Sequence, residues 1–426
     1  MNGERNYIDS PHLVLCFQVH QPKRLTGYST TDSAPTADSM DKEIFQRIAR
    51  ECYLPTNFLL LRLIEQYPNI RLSFSISGLA LEQMEAYAPE ALESFQKLAA
   101  TGSVDFVAEP YYHSLAFLLD SDEFEIQVLQ HVEKTIQHFG IRPSVLKNTA
   151  LVYNDDIGRR IHMMGFEGVL TEGCERSLRQ NQPQNLYEHR DSNGLKILLR
   201  NRNLSDDIAF RAGKSYWNVT ADKFLSWLDM MPEGEKLVTL CVDYETFGEH
   251  NKPDSGIFAF LENLLLMLAI QNTYRMVTPS EVVHRFHAHR QLSIPDYVAV
   301  AGTDLAKWIG NDRQREALAA LVALESVVKR KADPHLLELW KLLQAADHFY
   351  YMSDEAEGPE CLSPYPSPRQ AYDSYMACIR YINQQISDVA PHEDAEKRNE
   401  LMEAERRNIE TPLWALRLES HTGPVT

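Results

Sequence analysis

The 426-residue sequence contains no CxxC pair and no short-range cysteine framework. Cys16, Cys52, Cys174, Cys241, Cys361 and Cys378 stand far apart, which excludes a zinc ribbon and a disulfide scaffold and predicts buried thiols in a reducing compartment. Long apolar runs are also missing: the longest, at 264–270, falls far short of the ~20 residues that a membrane span requires. The first ten residues include Glu4, Arg5 and Asp9 and lack an apolar signal core, so a cytoplasmic protein is expected. Positive charge is scarce. Forty-two Lys and Arg face 60 Asp and Glu, a formal charge of −18 at pH 7, which excludes nucleic acid and anionic membranes as natural partners. Internal repeats and low-complexity tracts are absent. Neutral partners, sugars among them, remain.

Apolar residues make up 44% and charged residues 24% of the chain, a composition that builds a packed core. The length fits one large barrel with an appendage, or two to three ordinary domains. Seven β-rich runs, at 13–19, 70–76, 104–108, 145–152, 168–170, 237–242 and 275–277, are separated by helical periodicity or long loops. Near-continuous apolar runs such as Leu13-Val14-Leu15-Cys16-Phe17 suit strands of a parallel sheet buried on both faces. The expected class is α/β, a β/α barrel or a doubly wound sheet. Beyond about residue 300 the pattern is helical, predicting an all-α C-terminal region interrupted by a proline-rich loop at 355–368.

Catalytic side chains of a β/α barrel come from the C-terminal ends of its strands, and polar groups gather there. His20-Gln21-Pro22 follows the first run and Glu109-Pro110-Tyr111-Tyr112-His113 the third. Thr171-Glu172-Gly173 follows the fifth, and Asp243-Tyr244-Glu245 the sixth. Singly, each has an ordinary explanation in core packing or helix-dipole complementation. Together, paired carboxylates with histidines and aromatic rings suit glycoside chemistry, in which one acid protonates the leaving oxygen and a second carboxylate attacks or activates water.

These residues carry a family resemblance. Phe17-Gln18-Val19-His20-Gln21-Pro22, the segment from Gly102 to His113, and Val242-Asp243-Tyr244-Glu245-Thr246-Phe247-Gly248 resemble motifs one, two and four of glycoside hydrolase family 57, in its α-amylase branch. Lys147-Asn148-Thr149-Ala150-Leu151-Val152-Tyr153 and the stretch from Asp304 to Asp312 resemble the third and fifth. Leu204 to Arg211 and Asp347 to Met352 extend the likeness over nearly the whole chain. The resemblance implies an incomplete seven-stranded (β/α)7 barrel, residues 1–295, followed by an α-helical bundle domain, 296–426. It implies a retaining mechanism on α-1,4-glucans such as maltooligosaccharide or glycogen, with no cofactor or metal. Asp243 takes the acid/base role. His20, Glu109, His113, Glu245, Trp308, Asp347 and His348 are the implied substrate contacts. Trp308 has bundle packing as its alternative, and Asp206-Asp207 a helix N-cap. The family's nucleophile is a glutamate in motif three, where this chain has Ala150. In motif two, Asp105 stands where the family usually has a glutamate.

A methyl group can neither attack an anomeric carbon nor stabilise an oxocarbenium ion. Losing a covalent nucleophile costs on the order of 10⁴–10⁶ in rate, roughly 5–8 kcal/mol of barrier, so impaired turnover is expected. The residues fit a natural glucan-binding protein with a silent site, and equally an active α-amylase whose glutamate was exchanged for alanine. A third reading is an inverting reaction in which Glu109, Glu172 or Asp105 serves as base and water fills the space at Ala150. A reading from another class is a metal-dependent sugar deacetylase using His284, His287 and His289, against a solvent-facing helix capped near Ser280.

Overall fold

A computed structural model describes residues 6–7, 11–25, 38–178, 182–211, 219–230, 236–288, 290–354 and 363–388. Seven strands form the barrel wall: β1 (His12–Val19), β2 (Leu72–Ile76), β3 (Val104–Phe106), β4 (Val145–Lys147), β5 (Gly168–Gly173), β6 (Lys196–Asn201) and β7 (Leu237–Asp243). All neighbours run parallel. β1 lies between β7, paired from His12↔Leu237 to Gln18↔Asp243, and β2, paired from Cys16↔Ser73 to Val19↔Ile76. The wall continues through β2–β3, β4–β5 and β5–β6. Two joints are thin. β3 meets β4 through the bridge Ala108↔Leu146, and β6 meets β7 at the pair Arg200↔Thr239. A short strand, Tyr187–His189, runs antiparallel along the start of β6 and takes up the edge that β7 leaves there. The sheet is thus an incomplete seven-stranded β/α barrel.

Alternation along each strand explains the apolar runs. On β1, Leu13, Leu15, Phe17 and Val19 face outward into the helices, while Val14 and Cys16 join Val107, Val145, Leu170, Leu198 and Cys241 inside. The outer core has two parts. One covers β7, β1, β2 and β3, including Leu240, Phe74 and Phe106. The other covers β4, β5 and β6, and is shared with the helices beyond residue 305 through Trp308, Ala317, Trp340 and Tyr375. Those helices start from readable signals. Asn311 and Gln314 form a capping box on Asp312–Lys331, whose last turn carries Lys329, Arg330 and Lys331, and Asp333 with Pro334 opens Pro334–Leu342.

Seven strands are present, but one differs from the expected set. The run at 275–277 forms only the two-residue strand Arg275–Met276 beside the start of β1. The seventh wall strand is β6, whose charged Lys196 and Arg200 break the apolar run that marks a buried strand. Both side chains find tertiary partners: Lys196 Nζ donates to the Val283 carbonyl, and Arg200 lies between the carboxylates of Glu172 and Asp206. The run at 145–152 also divides. β4 ends at Lys147, and a 3-10 turn, Thr149–Leu151, follows. The helix Pro279–Arg285 is capped by Thr278 in a capping box with Glu281, two residues before Ser280. The cap of Arg202–Asp206 is Asn201 rather than either aspartate. Cys16, Cys52, Cys174, Cys241 and Cys378 are buried thiols, and Cys361 lies outside the described residues.

Candidate active site at the barrel mouth

The ends of β1, β2 and β3 bring polar side chains to one rim. Gln18, two residues before His20 on the inward face of β1, donates from Nε2 to Glu109 Oε1 at 2.9 Å, and Ser75 of β2 donates its hydroxyl to the same oxygen at 2.7 Å. The second carboxylate oxygen, Oε2, meets His113 Nδ1 at 2.9 Å. Glu109 is fully enclosed. Burial alone would raise its pKa, but Lys147, His113 and His131 hold it well below the ordinary carboxylate range.

His113 in turn stacks on His20, with ring centroids 4.2 Å apart and planes 24° from parallel. The Nδ1 atom of His20 lies 2.7 Å from Ser77 Oγ, and its Nε2 lies 2.9 Å from Asp347 Oδ2. Ser77 is itself fixed, since its side chain caps the helix Gly78–Tyr87 by accepting the Ala80 N–H. The next residue must be glycine, because a Cβ at Gly78 would approach the Tyr111 ring to 2.4 Å. Asp347 arrives from the helical part. The Ala346 N–H donates to the His113 carbonyl at 3.0 Å, and the Leu115 N–H to the Gln344 carbonyl at 2.9 Å, so the backbone beside His113 sets the segment that carries Asp347.

The result is a carboxylate–histidine–histidine–carboxylate array, Asp347–His20–His113–Glu109. Two charged rings at stacking distance repel, and the environment assigns them different states. Burial disfavours charge on His20, but Asp347 outweighs it with help from Glu109 and Glu245, so His20 titrates above the usual histidine value. Burial and then the charge of His20 push His113 below it, against the pull of Glu109. Burial would raise Asp347, yet His20, His113 and His348 hold it well below the carboxylate range. Of the two rings, His20 is therefore the one that takes up a proton first as pH falls.

The signs set a pH window. The depressed values of Asp347 and Glu109 contribute stability that is present above pH ~4–5 and lost as pH falls further. The raised value of His20 contributes stability that is present below pH ~6.5 and lost as pH rises through its folded-state value. Asp347→Asn is expected to lower the His20 titration midpoint by roughly 1–3 pH units, while the ring stack holds. Imidazole NMR titration reads this directly. A midpoint that does not move would show that Asp347 does not set the charge of His20.

Asp243 ends β7 with its side chain exposed, opposite Gln18 in the β1–β7 register. Past β4, Ala150 occupies the left-handed region at φ 50°, ψ 29°, and Leu151 also has positive φ, at 58°. A non-glycine residue in this region pays a steric penalty on the order of 1–2 kcal/mol, and such outliers cluster at functional sites. Asn148 braces the turn, its Oδ1 accepting the Thr149 N–H and its Nδ2 donating to the Val152 carbonyl. Ala150→Gly is expected to stabilise the protein by about 1 kcal/mol, after the greater chain entropy of glycine is set against the relieved strain. Urea unfolding at pH 7 measures it, and a loss of stability would contradict the strained turn.

The other sequence-predicted residues are not hydrogen-bonded into the array. Glu245 is buried, accepting from Tyr53 Oη at 2.5 Å and Gln21 Nε2 at 3.3 Å, and burial, then the charge of Asp243, keeps its pKa raised against the Tyr53 hydrogen bond. Trp308 is 5% exposed and packs in the core shared with the helical part. His348 is also buried, its ring centroid 6.2 Å from that of Tyr375, and burial pulls its pKa down to about 4. Of the three candidate bases, Asp105 is the middle residue of β3, and its Oδ2 accepts the Ser280 N–H. Glu172 pairs with Arg200, and Glu109 is hydrogen-bonded on both oxygens. His284 hydrogen-bonds Glu167 at 3.2 Å, and His289 is outside the described residues. Among the described residues no three His, Cys, Asp or Glu side chains are grouped to hold a metal ion. Sequence reasoning gave no role to Gln18, Ser75, Ser77 or Lys147, although all four stand on inward positions at or just past the ends of strands.

A family model described as "Glycosyl hydrolase family 57" matches residues 14–295, a span that contains every barrel strand apart from the first two residues of β1. The chain belongs to glycosyl hydrolase family 57. A Methanocaldococcus jannaschii protein named "Putative alpha-amylase" is 32% identical over 416 residues, covering 92% of this chain and 88% of that one. Two solved structures share the fold. A family-57 branching enzyme from Thermococcus kodakaraensis, solved in complex with glucose, superposes with a TM-score of 0.70 at 12% identity and covers 94% of each chain. A 4-α-glucanotransferase from Thermococcus litoralis superposes with a TM-score of 0.63 at 13% identity. That match covers 88% of this chain and 60% of the other, so this family-57 chain spans about three-fifths of the transferase's length.

Proposed function

We propose that this family-57 protein binds α-1,4-glucans, maltooligosaccharide or glycogen, at the barrel mouth and hydrolyses them little or not at all. The carrying observation is the pairing of an ordered polar floor with a methyl group at Ala150 in a strained turn. Asp243, by its motif, is the acid/base. His20, His113 and Asp347 are the hydroxyl-binding groups, and the position of the attacking carboxylate is vacant. The names of the M. jannaschii relative and of the two structural neighbours support α-glucan as the ligand class. The helices beyond about residue 296 act as a domain that closes the cleft, an idea supported by the bond from Asp347 to His20. No described helix is long and apolar enough to cross a membrane, and a cytoplasmic site of action suits a glycogen ligand.

Calorimetry with maltoheptaose tests the proposal. Stoichiometric binding is expected, weakened about tenfold or more by His113→Ala, with glucan hydrolysis at the buffer background. Formate or azide, small enough to occupy the space beside Ala150, should raise any residual turnover. Failure to bind glucans would overturn the reading. The backbone strain at Ala150 favours a second reading of the same cleft, an α-amylase site shaped around a larger side chain that alanine has replaced.

A further inference from the structure

Two thiols face each other inside the barrel. Cys16 of β1 and Cys241 of β7 are direct partners in the parallel register, and both belong to the inner core with Val14, Val107 and Leu198. Residues two apart on a strand share a face, so the pair lies one step below Gln18 and Asp243. Neighbouring strands run ~4.7–4.9 Å apart, within the range of about 4.4–6.8 Å between Cα atoms that a disulfide spans.

The surroundings divide the two sulfurs. The Cys16 hydrogen bond, then Lys147 and Arg200, pull the Cys241 thiol down against its burial, whereas Cys241 and burial push Cys16 well up. Cys241 is 6% exposed and Cys16 fully enclosed. A thiol beside cations and reachable by solvent is the nucleophile of such a pair, and Cys16 is the partner that keeps its proton. Cys52 and Cys378 lack this setting: their thiols donate to the Tyr244 and Ser374 carbonyls at 3.2 and 3.4 Å. At this height β7 can also shift. Its ladder with β6 is the pair Arg200↔Thr239. Beyond it the Cys241 N–H donates to Ser205 Oγ at 3.2 Å, and its carbonyl accepts from Arg200 Nε at 2.8 Å. Side chains hold that edge, and they can follow a small movement toward β1.

We propose that Cys16 and Cys241 are a peroxide-sensing dithiol that closes to a disulfide across β1 and β7 and thereby weakens glucan binding at the mouth above. The regulatory part rests on the glucan reading; the dithiol does not. The Cys241 thiolate attacks hydrogen peroxide, forming an S–O bond as the O–O bond breaks, and the departing hydroxide takes the proton lost from the thiol to leave as water. The Cys16 sulfur then attacks the sulfenic sulfur of Cys241. The S–S bond forms, the S–O bond breaks, and hydroxide leaves with the Cys16 proton as a second water. Two thiols lose two electrons, and peroxide gains them. Drawing the β-carbons in to the ~3.8 Å of a disulfide strains strands spaced for a ladder, so a dithiol reductant reopens the bond. The same movement displaces Gln18, which donates to Glu109 at 2.9 Å.

The test treats the full chain with hydrogen peroxide, denatures it in N-ethylmaleimide and maps its peptides by mass spectrometry. A Cys16–Cys241 disulfide, lighter by two hydrogens and cleared by dithiothreitol, is expected, with Cys52 and Cys378 alkylated. Cys16→Ala should stop at a dimedone-reactive sulfenic acid on Cys241, and Cys241→Ala should leave Cys16 reduced. The mapping of the unmodified chain stands even if neither variant folds. In calorimetry the oxidised protein should bind maltoheptaose about tenfold more weakly, the worth of one hydrogen bond to a charged group, and dithiothreitol should restore the affinity. Peroxide that leaves both thiols free to alkylate, or joins either to another cysteine, overturns the dithiol. A Cys16–Cys241 disulfide with unchanged affinity overturns the regulation. Reduced protein that binds no maltoheptaose yet still forms the disulfide removes the glucan reading with its regulation and supports the dithiol.

Discussion

Ala150→Glu is expected to turn a glucan binder into a glucan hydrolase, raising the rate of maltooligosaccharide cleavage by on the order of 10⁴–10⁶. The turn is ready for the change. Alanine already carries a Cβ at φ 50°, so glutamate adds little backbone strain, and Asn148 already braces the loop. The position past β4 is half-buried, and Asp243, the proposed acid, is exposed at the end of β7. A retaining enzyme needs these carboxyls ~5–5.5 Å apart, and the product should keep its anomeric configuration. Reducing-sugar release with NMR of the fresh product provides the measurement. An inert Ala150→Glu protein that still binds maltoheptaose would place the loss of activity beyond a single side chain.

The second large effect is on stability. Arg200 is 3% exposed and Glu172 fully enclosed, and the guanidinium also reaches Asp206 at 2.6 Å and the Cys241 carbonyl at 2.8 Å. Arg200→Met leaves Glu172 buried without its cation, at an expected cost of about 3–5 kcal/mol. Removing both charges in Arg200→Met/Glu172→Met should recover most of it, since the isolated charge rather than the missing pair is the penalty. Denaturant unfolding of the two variants decides the matter. A cost below about 1 kcal/mol for the single change would mean that water or another cation reaches Glu172.

The ion set around Arg200 also explains where the sequence misled. A strand with a lysine at its start and an arginine near its end does not look like barrel wall, and the partners that neutralise Arg200 include Glu172, 28 residues away. Hydrophobic patterning reports only what a segment does alone. The other strands were legible from short apolar or alternating runs rich in β-branched and aromatic residues, and His20, Glu109, His113 and Asp243 were legible as polar residues at strand ends. The left-handed turn at Ala150 was not, for neither Ala150 nor Leu151 is a residue that signals positive φ. The bond between His20 and Asp347 spans 327 residues and could only be suggested by resemblance. Glu245 and Trp308 are polar and aromatic in the expected places along the chain, and the structure buries both, which their position in the sequence does not signal.

The thin joints between β3 and β4 and between β6 and β7 divide the wall unequally. Strands β7, β1, β2 and β3 make one arc over one outer core, and β4, β5 and β6 make another over the core that the helices share. The hydrogen bonding of the wall thus falls into two arcs, which the inner core of Val14, Cys16, Val107, Val145, Leu170 and Leu198 joins. Asp243 belongs to the first and Ala150 to the second, so a carboxyl pair restored at these two positions would span a seam. A glucan chain lying over that seam would brace the two halves against each other, and amide hydrogen exchange along β3, β4 and β6 should slow when it binds.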